Sequence, residues 1–543
     1  MLSTMQDRPL TVQCLFQHGT ALHSGSGIAA FDGDRVRHTT FADLAARVHK
    51  LAAALKRLGI REGDRVGTFC WNTPPHLEAY FAIPCMGAVL HTLNARLFPE
   101  QLSYIVNHAE DRIVIVDASL VGVLAKAAEQ FRTVERYLVI GRSEEKLPGE
   151  CLDYEEVLGK EEARYEWPEI DERSAAGMCY TSGTTGNPKG VAYSHRSIYL
   201  HSMAVLAPTC VGLTDRDRLL AIPSMFHANS WGLLHAAWAA GSDLIFPGRY
   251  LQAEPICRLI REERPTVSAG VPTIWSEVVR HADSHATDFS SLRLVVCAGS
   301  SVPRSLIEAM QQRHGVKMIQ AWGMTETSPL VTMAHPPKDC PECDEIGYRA
   351  TAGRLMPGCE MRIVDNGQVL PADGESVGEI EVRGPWITGA YYGDAAADRF
   401  HDGWLRTGDV GALDARGYLV IKDRTKDVIK SGGEWVSSVE LENAIMAHRD
   451  VIEAAVIGVP DARWDERPLA CVVLKPGAST TPADLRAFLH DRVAKWWIPE
   501  RWAFIDEIPK TSVGKFDKKV LRARQIAGEI AIEDATGASA ANQ

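Results

Sequence analysis

Short apolar strands alternate with amphipathic helices along the first third of the chain, and this alternation constrains the fold more than any other feature. Residues 41–58 place leucine and valine at helical spacing, and Thr40 stands where an N-cap is expected. Residues 64–70 and 88–93 are apolar runs of strand length on either side of a second helix, at about residues 76–83. The sequence therefore predicts a βαβ unit, the building block of open parallel sheets.

The same pattern returns at residues 292–297, where an apolar strand is followed by a Gly/Ser turn and a new helix. Parallel sheets bind ligands at the carboxyl ends of their strands. Gly299 and Ser300 lie in this turn, which is therefore a candidate ligand site.

The pattern changes after residue 423 to a small α+β arrangement, in which Thr481 and Pro482 begin a helix. A chain of 543 residues is too long for one core. We predict a large N-terminal α/β domain of mixed sheets layered with helices, residues 1–422, and a small α+β C-terminal domain, residues 428–543. The short charged segment at residues 423–427 joins them.

Composition excludes several classes of protein. Lys and Arg total 58 against 70 Asp and Glu, so the net charge is −12 and nucleic acid is not attracted in general. No apolar run reaches the ~18 residues that span a bilayer. The N-terminus lacks a signal-peptide layout and the C-terminus is no peroxisomal signal, which predicts a cytoplasmic protein. Cys340 and Cys343 could form half a zinc site, but without a second such pair they are predicted to be free thiols.

The strongest chemical signal is the loop at residues 180–190, which contains four Ser or Thr hydroxyls, three glycines and Lys189. Glycines let backbone N–H groups converge on one point, and the hydroxyls and the lysine add donors to anionic oxygens. The kinase-type Gly-Lys-Ser/Thr spacing is absent. A flexible polar linker is the alternative, but apolar structure flanks the loop closely on both sides. The loop is therefore predicted to bind phosphate.

This loop resembles the signature of the adenylate-forming superfamily, which contains acyl-CoA synthetases, firefly-type luciferases and the adenylation domains of peptide synthetases. Four further blocks resemble that family in the same order: residues 320–329, 403–409, 423–427 and 509–515. The resemblance covers nearly the whole chain. It implies an enzyme that joins a carboxylate to the α-phosphate of ATP with Mg²⁺ and then transfers the acyl group to coenzyme A.

The resemblance also implies roles for individual residues. Glu326, with Thr184 and Thr185, would hold Mg²⁺; Trp322 would pack on adenine, and Asp409 would accept the ribose hydroxyls. The predicted ATP and AMP contacts are Thr181, Ser182, Gly183, Thr184, Thr185, Gly186, Lys189, Gly299, Ser300, Ala321, Trp322, Gly323, Met324, Thr325, Asp409 and Arg424.

Lys515 matches the lysine that bridges the substrate carboxylate and the α-phosphate. A point charge on a flexible stem suits a group that must arrive and leave. Lys426 matches the hinge about which the C-terminal domain swings. The swing would bring forward the coenzyme A contacts Ser431, Gly432, Gly433 and Trp435.

Residues 226–231 lie where relatives line the acyl pocket, and the resemblance also assigns Val271 and Ala298 to that pocket. Amino-acid-activating relatives carry an aspartate there and this chain has none, so an uncharged acyl tail is predicted. His227 resembles a gate near the substrate carboxylate, with a catalytic role. Trp231 matches the tryptophan that gates the tunnel of bacterial long-chain acyl-CoA synthetases, although a tryptophan on an apolar helix is more often part of a core.

The blocks favour a medium- or long-chain fatty acid as substrate. A 3-methylmercaptopropionyl-CoA ligase, which takes a short thioether acid, is the alternative. A luciferase-like oxygenase, an enzyme that loads an acyl carrier protein and a non-catalytic nucleotide-binding paralogue also stay open. The presence of Glu326 and Lys515 disfavours the last of these. Resemblance to the long-chain group suggests a homodimer.

Overall fold

In a computed structural model of the protein, the described residues are 1, 3–181, 187–393, 396–431, 434–461, 463–510 and 516–535, without the side chains of residues 430, 434 and 435. The chain forms two compact units. The first contains Met1–Glu360 and Val382–Leu405, and the second contains Met361–Glu381 and Arg406–Gln543. This large α/β unit and smaller α+β unit confirm the predicted fold class. The predicted boundaries at residues 422 and 428 stay predictions.

One sheet of the first unit is parallel in its centre and antiparallel at both edges. Gly270 and Cys297 are paired at the carboxyl ends of two central parallel strands. Val271 and Ala298 therefore leave the sheet side by side. In order across the sheet the strands are Arg354–Leu355, Leu330–Met333, Met318–Gly323, Leu294–Cys297, Val267–Gly270, Arg218–Ala221, Asp243–Phe246, Gly27–Phe31 and Val36–Thr40.

A second sheet of this unit contains the predicted βαβ unit. Its strands Arg65–Phe69 and Val89–Thr92 are parallel neighbours, and the helix Pro74–Cys85 connects them. An antiparallel hairpin forms one edge of the sheet. In order the strands are Glu150–Asp153, Arg136–Ile140, Asp111–Asp117, Arg65–Phe69, Val89–Thr92, Ala175–Tyr180 and Gly190–Ser194.

The first predicted helix begins where the sequence places its cap. Thr40 and Asp43 form a reciprocal capping box, in which the Thr40 hydroxyl accepts from the Asp43 N–H at 3.2 Å, and the predicted first helix ends at Arg57. The helices of this unit are Val12–Leu22, Phe41–Arg57, Pro74–Cys85, Pro99–Ala109, Val121–Ala128, Tyr154–Gly159, His195–Leu206, Leu233–Ala240, Ala253–Glu263, Pro272–Ser284, Arg304–His314 and Glu345–Arg349. Short 3₁₀ turns occur at Ala118–Leu120, Thr325–Thr327, Glu342–Asp344 and Ala397–Arg399. Within the ranges given above, no helix combines the length and apolarity needed to cross a bilayer.

The core of the first unit is an apolar cluster with members from both sheets and from the helices beside them. Trp238 is at its centre, fully buried and stacked on Phe41 with ring centroids 4.0 Å apart. Phe81 packs at an angle against the same indole at 4.9 Å. Because aromatic side chains bury the most apolar area per residue, this cluster fixes the helices against the sheets.

The second unit contains most of the residues of one sheet, followed by a second sheet with three helices in its described part. The strands of the first of these sheets are Glu360–Asp365, Gln368–Val369, Gly378–Arg383, Phe400–His401, Trp404–Leu413 and Leu419–Arg424. The later sheet contains Glu434–Val436, Ile429–Ser431, Asp465–Leu474, Arg501–Phe504 and Glu533–Asp534, with Val451–Asp461 paired to Asp465–Leu474. The helices are Ser438–Met446, Pro482–Leu489 and Lys518–Ile526.

A buried ion pair ties the predicted hinge to this later part. Lys518 Nζ lies 2.7 Å from Glu442 Oε1, and Asp423 Oδ2 accepts from the Ser438 N–H at 2.7 Å. Burial alone would lower the pKa of Lys518, but the facing carboxylates of Glu442 and Asp423 raise it. Separating these groups would leave a buried charge without a partner, which is costly. The cluster therefore holds the strand end at Asp423 to the helices Ser438–Met446 and Lys518–Ile526.

Histidines are buried in neutral form inside the first unit. Burial lowers the pKa of His201 to about 3 and that of His195 and His235 to about 4. Within the part of the chain that is described, Nε2 of His195 and of His235 has no hydrogen-bond partner. These rings therefore resist protonation while the chain is folded.

We expect acid to destabilise the first unit through these histidines. Their folded pKa lies below the unfolded value of about 6.5, so the unfolded chain binds more protons between pH 6.5 and 4, and stability falls as the pH falls through this window. The expected loss at pH 5 is about 2 kcal/mol for a histidine whose pKa falls to about 4. Urea unfolding at pH 7 and pH 5 measures this loss in the free energy of unfolding. The variant His235→Gln should lose less stability between the two pH values, because it lacks the contribution of one histidine. A pH dependence identical in the variant and the wild type would contradict the assignment.

Candidate active site

The predicted phosphate loop connects the two strands of the edge hairpin. Ala175–Tyr180 and Gly190–Ser194 pair so that Tyr180 lies opposite Gly190. The loop is closed at its base, because the Thr181 N–H donates to the Lys189 carbonyl at 2.9 Å and the Lys189 N–H donates to the Thr181 hydroxyl at 3.3 Å. Thr181 and Lys189 are therefore held together at the base of the loop.

Glu326 lies in the 3₁₀ turn Thr325–Thr327 and is 6% exposed. Its Oε1 accepts from the Tyr391 hydroxyl at 2.6 Å, and its carbonyl accepts from the Thr388 N–H at 2.8 Å. A carboxylate has about four lone-pair positions, so one phenolic donor leaves others for a cation. The chemistry of this group fits a magnesium ligand.

Two tyrosines connect this turn to the phosphate-loop hairpin. The Tyr193 hydroxyl donates to the Thr325 carbonyl at 2.7 Å from within the strand Gly190–Ser194. Lys189 Nζ lies 5.2 Å from the ring centroid of Tyr391, within cation–π range. Burial, and then the charge of Glu326, raise the pKa of Tyr391, which keeps its hydroxyl protonated as a donor.

The predicted adenine block ends a central strand beside this turn. Ala321, Trp322 and Gly323 close the strand Met318–Gly323, and Ala321 and Trp322 are buried. A Cβ at Gly323 would lie 1.9 Å from the Pro329 carbonyl oxygen, so no side chain fits there. The Met324 N–H donates to the Thr327 hydroxyl at 2.9 Å. The block is thus a tight connection between the strand and the 3₁₀ turn, and it fixes the position of Glu326.

The predicted acyl-pocket residues converge on Gly299. A Cβ built at Gly299 would lie 3.1 Å from Val271 Cγ1 and 3.8 Å from Trp231 Cζ2. Ala298, the preceding residue, donates its N–H to the Gly270 carbonyl at 3.2 Å. Gly299 has a φ of 90°, which disfavours any other residue. An apolar wall therefore stands at the carboxyl ends of two parallel strands, with Ser300 exposed at its edge.

The segment that carries Trp231 is not the apolar helix that the sequence predicts. Residues 228–231 have φ values of 42°, 51°, 51° and 59°, and Gly232 follows at 70°. This left-handed turn costs roughly 1–2 kcal/mol for each non-glycine residue. Buried hydrogen bonds hold it, since the Ser230 hydroxyl donates to the Pro223 carbonyl at 2.8 Å and Asn229 Oδ1 accepts from Cys179 Sγ at 3.2 Å. His227, half-buried, immediately precedes the turn.

In the second unit, the predicted ribose residues are neighbours. Asp409 and Arg424 are directly opposite in the paired strands Trp404–Leu413 and Leu419–Arg424. Arg424 Nε lies 3.6 Å from Asp409 Oδ1. Thr425 donates its N–H to the Gly408 carbonyl at 3.0 Å, which closes the end of this hairpin. The pairing of these two strands thus brings the two blocks together.

The predicted hinge and coenzyme A residues follow this hairpin. Arg522 donates to the Lys426 carbonyl at 3.2 Å and pairs with Asp427 at 2.8 Å. Ser431 is buried, and its hydroxyl accepts from Arg467 at 3.1 Å. Trp435 lies in the strand Glu434–Val436 opposite Lys430.

Several predicted residues lie outside the described residues. Lys515 is one of them, but the residues that flank it are described: Lys510 and Phe516 form an isolated β-bridge, and the Asp517 N–H donates to the Pro509 carbonyl at 2.7 Å. The described residues on the two sides of Lys515 are thus paired with each other. The others outside the description are Ser182, Gly183, Thr184, Thr185, Gly186, Gly432 and Gly433.

Sequence reasoning missed Tyr193 and Tyr391. Both contact the turn that carries Glu326. Tyr193 precedes its partner Thr325 by 132 residues, and Tyr391 follows its partner Glu326 by 65 residues. The available signal was weak: Tyr193 closely follows the phosphate loop, and Tyr391 follows a Gly-Ala pair in an irregular segment.

Known proteins match this chain over nearly its whole length. The AMP-binding enzyme family matches residues 19–392, and the AMP-binding enzyme C-terminal domain matches residues 440–515. A 3-methylmercaptopropionyl-CoA ligase of Ruegeria lacuscaerulensis is 40% identical over 531 residues, covering 96% of this chain and 98% of the relative. A long-chain-fatty-acid–CoA ligase of Thermus thermophilus is 42% identical over 530 residues, covering 96% of each.

The fold is shared with solved structures. The crystal structure of the anthranilate CoA ligase AuaEII in complex with anthranoyl-AMP superposes with a TM-score of 0.86 at 27% identity, covering 97% of this chain and 100% of that one. The fold and the paired site blocks define an adenylate-forming enzyme. The chain belongs to the AMP-binding enzyme family, and it is an acid–thiol ligase of the AMP-forming acyl-CoA synthetase class.

Proposed function

We propose that this chain activates a medium- or long-chain carboxylic acid with an uncharged tail, using ATP and Mg²⁺, and transfers the acyl group to coenzyme A. The observation that carries the choice of acid is the convergence of Trp231 and Val271 on Gly299. An apolar wall favours a hydrocarbon tail because removing such a tail from water is favourable by about 0.8 kcal/mol per CH₂ group.

In the first half-reaction, a carboxylate oxygen attacks the α-phosphorus of ATP. The new C–O–P linkage forms as the α–β phosphoanhydride bond breaks, and diphosphate leaves. Lys189 and Thr181 would bind phosphate oxygens at the base of the loop, since two hydrogen bonds hold these residues together there. Mg²⁺ held by Glu326, with Thr184 or Thr185, would neutralise phosphate charge.

The second unit supplies the remaining proposed contacts. Asp409 would accept the ribose hydroxyls, and Arg424 beside it would contact ribose and phosphate. Lys515 would bridge the acyl carboxylate and the α-phosphate. After a swing at Lys426, the thiol sulfur of coenzyme A would attack the acyl carbon and AMP would leave. Residues 431–435 would line its approach.

A short thioether acid is a second candidate, and the 40% identity to the Ruegeria relative favours it. The Trp231 indole beside Gly299 would then limit the length of the tail along the wall. The Ruegeria relative is named for such an acid, 3-methylmercaptopropionate. The two candidates therefore differ in whether Trp231 closes the pocket or moves aside. The predicted homodimer and cytoplasmic location stay predictions.

Measuring kcat/KM for thioester formation over straight-chain acids of graded length, together with 3-methylmercaptopropionate, distinguishes these candidates. We expect a maximum among medium or long chains and negligible activity with amino acids. A maximum at the short thioether acid would favour the second candidate. Preference for a charged tail would contradict both.

Trp231→Ala is expected to shift the preference toward longer acids. Removing the indole beside Gly299 opens the apolar wall, and one extra methylene in such a pocket is worth about 1–3 kcal/mol. The ratio of kcat/KM for a long acid to that for a short acid should rise at least about tenfold. Trp167→Ala is the matched control, because Trp167 packs on Phe16 and His49 outside the site. An unchanged ratio would place Trp231 in the core rather than in the pocket.

A further inference from the structure

Residues 388–392, called the strap here, join two parts of the candidate site. At one end the Thr388 N–H donates to the Glu326 carbonyl at 2.8 Å. At the other end the Tyr392 N–H donates to the Gly190 carbonyl at 2.8 Å. The strap therefore connects the turn that carries Glu326 to the strand that begins directly after Lys189.

Tyr391 is the side chain of the strap that contacts both parts. It is 4% exposed, and its hydroxyl donates to Glu326 Oε1 at 2.6 Å. Lys189 Nζ lies 5.2 Å from the centroid of the same ring. The ring packs on Phe400 at 5.6 Å, which limits its freedom to rotate away.

These contacts have different physical consequences. A phenol that donates to one carboxylate oxygen fixes the rotamer of Glu326 and leaves its other lone pairs available. A ring beneath an ammonium group attracts that group by about 0.5–2 kcal/mol without neutralising its charge. One side chain thus orients an anion and a cation while both keep their charge.

We propose that Tyr391 is a positioning residue for adenylate formation, in which its hydroxyl orients Glu326 toward the metal of the nucleotide and its ring holds Lys189 at the phosphate loop. This inference rests on the proposed function of Glu326 and Lys189. It adds a residue that touches neither substrate nor metal and acts through the two groups that would.

The test is Mn²⁺ binding, measured by electron paramagnetic resonance with the protein and α,β-methylene-ATP. In Tyr391→Phe the ring stays and the hydroxyl is lost, so we expect Mn²⁺ to bind about tenfold more weakly, the lower end of the effect of groups that orient metal ligands. The Mg²⁺ concentration for half-maximal diphosphate release should rise similarly. Tyr391→Leu removes the ring as well and should further weaken binding of the analogue.

Tyr154→Phe is the matched control. Tyr154 is also buried and donates to a buried carboxylate, Glu78 Oε2, at 2.6 Å, outside the site. The Tyr154→Phe substitution removes the same kind of hydrogen bond as Tyr391→Phe, so an effect that comes only from lost stability should appear in both variants. We expect Mn²⁺ binding to be unchanged in Tyr154→Phe.

Wild-type Mn²⁺ affinity in Tyr391→Phe, while the wild-type protein binds the ion with the analogue, would overturn the inference and leave the proposed function intact. Failure of the wild-type protein to bind Mn²⁺ with the analogue would count against the proposed metal site itself, and so against both. If Tyr391→Phe melts at a much lower temperature, the double variant with Glu326→Gln decides. Mn²⁺ should bind the double variant as tightly as it binds Glu326→Gln alone, because the hydroxyl acts through Glu326. If the two substitutions weaken Mn²⁺ binding additively, the inference is overturned.

Discussion

Lys515→Ala is expected to lower the rate of acyl-adenylate formation by about a hundred- to a thousandfold. The reason is electrostatic: a carboxylate must approach a phosphate group that is already negative, and an ammonium group between them offsets that repulsion. The residues that flank residues 511–515 are anchored by the bridge between Lys510 and Phe516. Alanine at position 515 should therefore remove a charge and leave the surrounding fold intact.

The two half-reactions separate this role from a general defect. Single-turnover measurement of diphosphate release should show the loss, whereas thioester formation from a supplied acyl-adenylate and coenzyme A should stay near the wild-type rate. Lys519→Ala is the control, because Lys519 is exposed on the helix Lys518–Ile526 and has the same charge. Equal loss in both half-reactions would contradict the assignment.

Glu326→Gln should lower adenylate formation at limiting Mg²⁺ by about a hundredfold, and high Mg²⁺ should recover part of the rate. The substitution keeps the shape and an oxygen that can accept from Tyr391, but it removes the negative charge that favours a hard divalent cation. The measurement is diphosphate release as a function of Mg²⁺ concentration at saturating ATP and acid.

Glu78→Gln is the control for this variant. Glu78 is also a buried carboxylate that accepts from a tyrosine, and it pairs with Arg47 at 2.6 Å rather than with a predicted metal site. Its substitution should reduce stability without changing the Mg²⁺ dependence. An Mg²⁺ dependence of Glu326→Gln equal to that of the wild type would remove Glu326 from the metal site.

Much of the fold was predictable because local signals and burial agreed. The strand Asp111–Asp117 is apolar on both faces, which is the signature of a parallel strand between helix layers. Thr481 and Asp484 form the capping box expected of a helix that begins at Pro482. The helix Ser438–Met446 likewise begins directly after a serine cap, since the Ser437 hydroxyl accepts from the Glu440 N–H at 3.1 Å.

The left-handed turn at residues 228–231 was not predictable from the sequence. Local preference disfavours positive φ for Ala228 and Trp231, so the segment reads as an apolar helix. Contacts that stabilise it come from distant parts of the chain, such as Cys179 for Asn229. Tertiary hydrogen bonds here override local propensity, as they can at functional sites.

The candidate site was predictable where a block is continuous in sequence and unpredictable where it depends on long-range contacts. The phosphate loop and the turn that carries Glu326 are continuous in sequence, and the sequence marks both as candidates. Tyr391 acts through two partners that precede it by 65 and 202 residues, and no local spacing marks it. The approach of Trp231 to Gly299 likewise depends on how strands are ordered in the sheet.

The central claim is that this chain converts a carboxylate into an acyl-adenylate at the expense of ATP. The most direct measurement incubates the purified protein with Mg²⁺, ATP and a panel of acids in the absence of coenzyme A and separates the nucleotide products. We expect acid-dependent formation of diphosphate and enzyme-bound acyl-AMP, which adding coenzyme A converts to AMP and thioester. Release of ADP and phosphate instead, or no cleavage of ATP with any acid, would contradict the account.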